Sequence, residues 1–140
     1  MLSRDQMKGL PPIPQGEHRF TVLRAQKRPS STGNPSVEVI LAVPEDTETL
    51  GPEFVARDTK VTLSLQEQAA FTFGNFVAAV SGYATVDEYF DGEDIEDFDA
   101  SAWDPEPVVG MQIIGVVSHQ LFQGRTTHQI RVFKPVPVPA

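Results

Sequence analysis

Apolar residues recur along the chain with two periods, and the change of period marks out the elements. From Glu17 to Gln26, His18, Phe20 and Val22 fall on one side and Arg19, Thr21, Leu23 and Ala25 on the other, which predicts a strand beginning near Gly16. Val37, Val39, Leu41 and Val43 alternate with Ser36, Glu38, Ile40 and Ala42, a second strand that Pro44 ends. Thr59 to Leu65 predicts a third, with Val61, Leu63 and Leu65 on one face and Lys60, Thr62 and Ser64 on the other. Between them, Lys27 to Ser36 is dense in turn residues, and Glu45 to Asp58 is a polar connection.

The period then changes. Ser64-Leu65-Gln66-Glu67 has the spelling of a capping box, Ala69, Phe73, Phe76, Val77 and Val80 recur at helical spacing, and Gly82 is placed to stop the helix. This predicts one amphipathic helix of roughly four turns, with Phe73 and Phe76 on its buried face and Phe71 off it. Gly110 to Phe122 reads as a long strand, Gln123-Gly124 as a two-residue turn and Arg125 to Lys134 as the returning strand. That turn opposes Phe122 to Arg125, Gln120 to Thr127, Ser118 to Gln129 and Val116 to Arg131. On the other face it opposes Leu121 to Thr126, His119 to His128 and Val117 to Ile130.

Residues 1–15 form an extended arm ending in Pro11-Pro12-Ile13-Pro14, residues 16–134 one domain, and residues 135–140 a proline-rich tail. Three strands, a helix and a hairpin give the element order of the OB fold. The expected class is all-β with one helix, a five-stranded Greek-key barrel whose helix lies between strands 3 and 4. A ferredoxin-like fold would need a helix after the first strand, where Pro29, Gly33 and Pro35 stand.

Composition narrows the chemistry. The 140 residues include no cysteine, which excludes a disulfide scaffold, a thiolate zinc site and cysteine catalysis and fits a reducing, cytoplasmic setting. The longest uncharged stretch, Gln68 to Val86, is broken by Gly74, Asn75, Ser81 and Gly82, so no membrane span is expected, and Met-Leu-Ser-Arg-Asp is not the start of an export signal. No phosphate loop, dinucleotide fingerprint, HExxH or GxSxG is present, and no catalytic activity is expected.

Charge changes the picture most. The net charge of -8, taken as an average, argues against a nucleic-acid partner. Yet ten acids and no base lie between Asp87 and Glu106, and the other 120 residues carry 11 bases against 9 acids. Residues 87–106 are therefore an acidic insert in a near-neutral domain with basic ends. As a calcium loop the insert fails, because counting from Asp87 puts Tyr89 and Phe98 where ligating acids belong. Tyr89, Phe90, Ile95, Phe98 and Trp103 within it leave three uses open: packing on the domain, covering a binding groove, or docking on a basic and greasy partner through Phe98 and Trp103.

Ile13-Pro14-Gln15-Gly16-Glu17-His18 leads into a strand, a basic loop ends in Ser31-Thr32-Gly33-Asn34-Pro35, and Val37-Glu38-Val39 follows. Leu121-Phe122-Gln123-Gly124-Arg125-Thr126, with Gln129-Ile130, closes the chain as a hairpin. Over about Ile13 to Lys134 this resembles small phage-encoded OB-fold single-stranded DNA-binding proteins. The acidic insert and the proline tail, in place of an acidic tail, depart from that pattern.

The resemblance implies a non-sequence-specific binder of single-stranded DNA in replication or recombination, without a cofactor. Such binding needs cations for phosphates and rings for bases, offered by the loops joining strands 1 to 2 and 4 to 5. Lys27, Arg28 and Asn34 stand in the first loop and Phe122 and Arg125 in the second. Arg24, Lys60, Gln120, Gln129 and Arg131 extend the track. His119 and His128 face each other without further ligands, so no metal is expected there. The alternative function is an OB-fold adaptor that contacts replication or recombination proteins through residues 87–106. The oligomeric state is left open.

Overall fold

The computed structural model describes Met7, residues 11–29 and residues 33–137, less the side chains of Gln68, Phe122 and Arg125. Residues 30–32, most of residues 1–10 and residues 138–140 of the tail lie outside the description. Five strands, β1 (Gly16–Pro29), β2 (Pro35–Ala42), β3 (Asp58–Ser64), β4 (Gln112–Phe122) and β5 (Arg125–Pro135), form one antiparallel sheet in the order β3-β2-β1-β4-β5. The sheet is not closed by a backbone ladder. Its two edges nevertheless face each other: His128 Nε2 on β5 lies 3.0 Å from Thr59 Oγ1 on β3.

β1 reaches both halves of the sheet because it is long and bulged. Residues Gly16–Thr21 pair with β4 and Thr21–Pro29 with β2, and the register jumps between Val22 and Arg24. The extra residue, Leu23, reverses the alternation beyond it. Ala25, expected on the outer face with Arg19 and Leu23, is buried, while Leu23 is exposed. The β4–β5 register matches the expected one from Phe122↔Arg125 to Val117↔Ile130. There a second bulge intervenes, so Val116 faces Val132 and Arg131 is the unpaired residue. Gln123 and Gly124 both have positive φ, 51° and 77°, which matches the twist of a two-residue hairpin.

Among the described residues, two α-helices follow β3 where one is expected. The first, α1 (Ala70–Val80), is three turns long, because a 3-10 turn, Glu67–Ala69, precedes it and the Ser64 hydroxyl accepts from Gln66 N–H as a local turn. It ends as expected at Gly82, with Tyr83 N–H bonded to Ala78 O and Gly82 N–H to Ala79 O, the Schellman pattern. The second, α2 (Val86–Gly92), lies inside the acidic insert. The Thr85 hydroxyl accepts from Glu88 N–H, and the Glu88 carboxylate accepts from Ala84 N–H. Thr85-Val86-Asp87-Glu88 is thus a working S/T-x-x-E start, and Asp87 and Glu88 favour the positive end of the helix dipole.

The core lies between the inner sheet face and α1. Phe20, Val22, Val37, Val39, Leu41, Leu63, Ile113 and Phe133 meet Phe73, Phe76 and Val77. Phe76 and Phe133 pack edge to face at 5.2 Å, and Asn75 Oδ1 accepts from Phe133 N–H, fixing α1 on β5. The aromatic residues of the insert join this core: Trp103 and Phe98 pack on Phe73 at 5.3 and 5.9 Å between ring centroids.

Candidate nucleic-acid interface

The outer face of β1, β2 and β3 places three predicted cations in register. Directly opposed residues form the rows Arg24–Ile40–Lys60, Gln26–Glu38–Thr62 and Arg28–Ser36–Ser64. Arg28 leans on Glu38, with Nη1 3.7 Å from Oε2. Arg24 and Lys60 make no ion pair among the described residues.

Lys60 also belongs to a second feature. Where the sheet edges face each other, a cleft of about 450 Å³ opens between β3 and β5, with the start of α1 at one side. Lys60, Thr62 and Ser64 line it from β3, Gln129 and Arg131 from β5, and Thr72 from α1, with no carboxylate in the lining. Arg131 stands there because the bulge turns it out of the ladder and leaves it exposed. Two cations set among hydroxyls and an amide make a surface suited to phosphate oxygens. Among the described residues, Arg131 too makes no ion pair.

Three further bases among the described residues are engaged elsewhere. Arg19 bridges Asp46 and Glu48 at 3.1 and 3.2 Å, and Lys134 pairs with Glu17 at 2.7 Å. Arg57 is buried, stacked over Phe54 and donating to Pro11 O.

Lys27 and Arg28, expected in the first loop, instead extend β1 in ladder with Val37 and Ser36, and the strand alternation parts them. Arg28 faces outward with Arg24, whereas Lys27 points the other way and donates to Ser101 O of the acidic insert at 2.5 Å. Beside that contact, the Ser101 hydroxyl and N–H hold the Asp99 carboxyl below its usual range, with a smaller contribution from the Lys27 charge. Asn34 is half-buried after Gly33, whose φ is 84°. Phe122 and Arg125 are strand-end partners flanking the hairpin turn, and their side chains lie outside the description. Gln120 is exposed opposite Thr127.

Phe98 and Trp103 are half-buried against α1. No aromatic side chain stands on the outer rows of β1–β3. Thr62 and Ser64, absent from the expected site, follow from the same alternation in β3 that exposes Lys60. Thr72 follows only from the docking of α1.

Among the described residues, no three His, Asp or Glu side chains gather to hold a metal, and no helix is long and apolar enough to cross a membrane. No protein-family model matches the chain, and no curated protein matches it in sequence.

Proposed function

We propose that this chain is an OB-type single-stranded DNA-binding protein of phage or mobile-element replication or recombination, acting in the host cytoplasm without sequence preference. The observation that carries the reading is the seam between β3 and β5. There Lys60 and Arg131, which make no ion pair among the described residues, line one carboxylate-free cleft, and Arg24, likewise without an ion pair among them, continues the track across Ile40. A single curled sheet whose edges come side by side, with a helix between the third and fourth strands, supports a partly open Greek-key barrel. In this reading phosphates follow Arg24, Lys60 and Arg131, and the hairpin residues Phe122 and Arg125 take the bases at the end of the track.

The test is a titration of the full chain with labelled oligothymidine at several salt concentrations. Binding weakens with salt with a log-log slope of about -0.7 per phosphate neutralised. The Lys60→Ala/Arg131→Ala double variant loses affinity and lowers that slope by roughly one to one and a half. An intact chain that binds no oligonucleotide at low salt, or a double variant as tight as the wild type, would overturn the proposal.

A further inference from the structure

A second concavity, on the other side of α1, has the opposite chemistry. Between α1 and α2 runs a groove of about 620 Å³ walled by Phe71, Phe73, Val77, Val86, Phe90 and Phe98. Its floor is Gly74, where an added Cβ would come within 3.3 Å of Val86 Cγ2, so the glycine sets how closely α2 approaches. Phe71 stands at the groove with 78% of its surface exposed, although its neighbour Phe73 is buried. An apolar ring held in water beside an apolar groove is surface that association would bury.

The charge around this groove selects its occupant. Asp87 is part of the lining, and Glu88 and Asp91 lie on the same short helix, followed by Glu93 and Asp94. None of the acids of residues 87–106 is ion-paired with a base among the described residues. The resulting negative field repels a phosphate backbone and attracts a cationic chain. Among the described residues, a second copy of this chain has no matching helix to offer, because neither α1 nor α2 contains a base.

We infer that the α1–α2 groove docks an amphipathic helix of a partner protein, with its apolar face on Phe71, Val86 and Phe90 and basic residues flanking that face. Recognition is of the helix-in-groove kind, with apolar anchors one turn apart supplying affinity and the acidic surround supplying selection and approach rate.

The probe is a fluorescein-labelled peptide of about five helical turns with leucines on one face and lysines on the other. Its anisotropy is followed on titration with the full chain. Two controls accompany it: the same residues scrambled to destroy the face, and a leucine/glutamate version. The leucine/lysine helix binds and the controls do not, and raising salt from about 50 to about 500 mM weakens binding without abolishing it. Phe71→Ser weakens it roughly ten- to a hundredfold, the loss of one apolar anchor. This variant keeps the wild-type thermal midpoint and oligothymidine affinity, so the outcome is independent of DNA binding.

Equal binding by wild type and F71S, or by the scrambled peptide, would overturn the inference in favour of simple charge adsorption. Self-association of the chain that F71S abolishes would overturn it in favour of a second copy as occupant.

Discussion

Three histidines, all that the chain has, converge on two residues of the arm that precedes β1. His18 Nε2 donates to Pro14 O and His119 Nε2 to Ile13 O, both at 2.8 Å, while His128 Nδ1 accepts from Ile13 N–H at 3.2 Å. Carbonyls only accept and the amide only donates, so these contacts fix where each ring carries its proton. The expected facing of His119 and His128 is present, and each of these rings satisfies a backbone group of the arm. Ile13 itself is completely buried in the core. Ile13→Ala therefore lowers the unfolding free energy by about 2–5 kcal/mol through the cavity it leaves. Urea denaturation measures this, and a loss below about 0.5 kcal/mol would show that the arm is dispensable.

At the scale of elements, α2 depends on two tyrosines. Tyr83 donates from its hydroxyl to Glu93 Oε1 at 3.1 Å and packs on Tyr89 at 5.6 Å between rings. Burial raises the Tyr83 hydroxyl above its ordinary value, and the Glu93 carboxylate raises it further. Tyr89 is raised by burial and then by the same carboxylate. A group raised in the folded state contributes stability that is fully present below its unfolded value, about 10 for tyrosine, and is lost as pH rises through the folded value. The thermal midpoint thus falls as pH rises above about 10, and Tyr83→Phe flattens the fall while leaving the portion due to Tyr89. An unchanged pH profile in Y83F would mean that Tyr83 does not couple α2 to alkali. Gly92 belongs to the same arrangement, since an added Cβ would lie 2.6 Å from the Tyr83 ring.

For the whole molecule, the relevant quantity is how the net charge of -8 is distributed. The insert is anchored by Phe98 and Trp103 on Phe73 and touches Lys27 near the end of β1, so its field acts close to the proposed DNA track. Neutralising exposed acids tests this without disturbing the packed rings. Asp91→Asn/Asp94→Asn/Glu96→Gln/Asp97→Asn raises oligothymidine affinity about two- to fivefold near 50 mM salt, and the gain disappears near 500 mM, where the screening length is only a few ångströms. A gain that survives high salt would point to a direct contact instead.

Local chemistry was enough to determine much of this molecule. Strand alternation groups Phe20 with Val22, Val39 with Leu41 and Leu63 with Val61 on shared faces, all of them buried, Gly82 stops α1, and Gln123-Gly124 sets six cross-strand pairs of the last hairpin. Each of these depends on neighbours in the chain or across one turn. Thr85-Val86-Asp87-Glu88 was equally local, but the density of acids around it hid a helix start. Neither bulge carries such a signal: Leu23 and Arg131 are displaced by how the sheet must curl between its neighbours, and that displacement turns Ala25 inward and puts Arg131 beside Lys60. The parting of Lys27 from Arg28, the seam that gathers Lys60, Thr72 and Arg131, and the groove at Phe71 all join residues far apart in sequence. Only the packing of α1 and the insert against the curled sheet brings them together, because side-chain burial and charge are settled over distances that no local pattern spans.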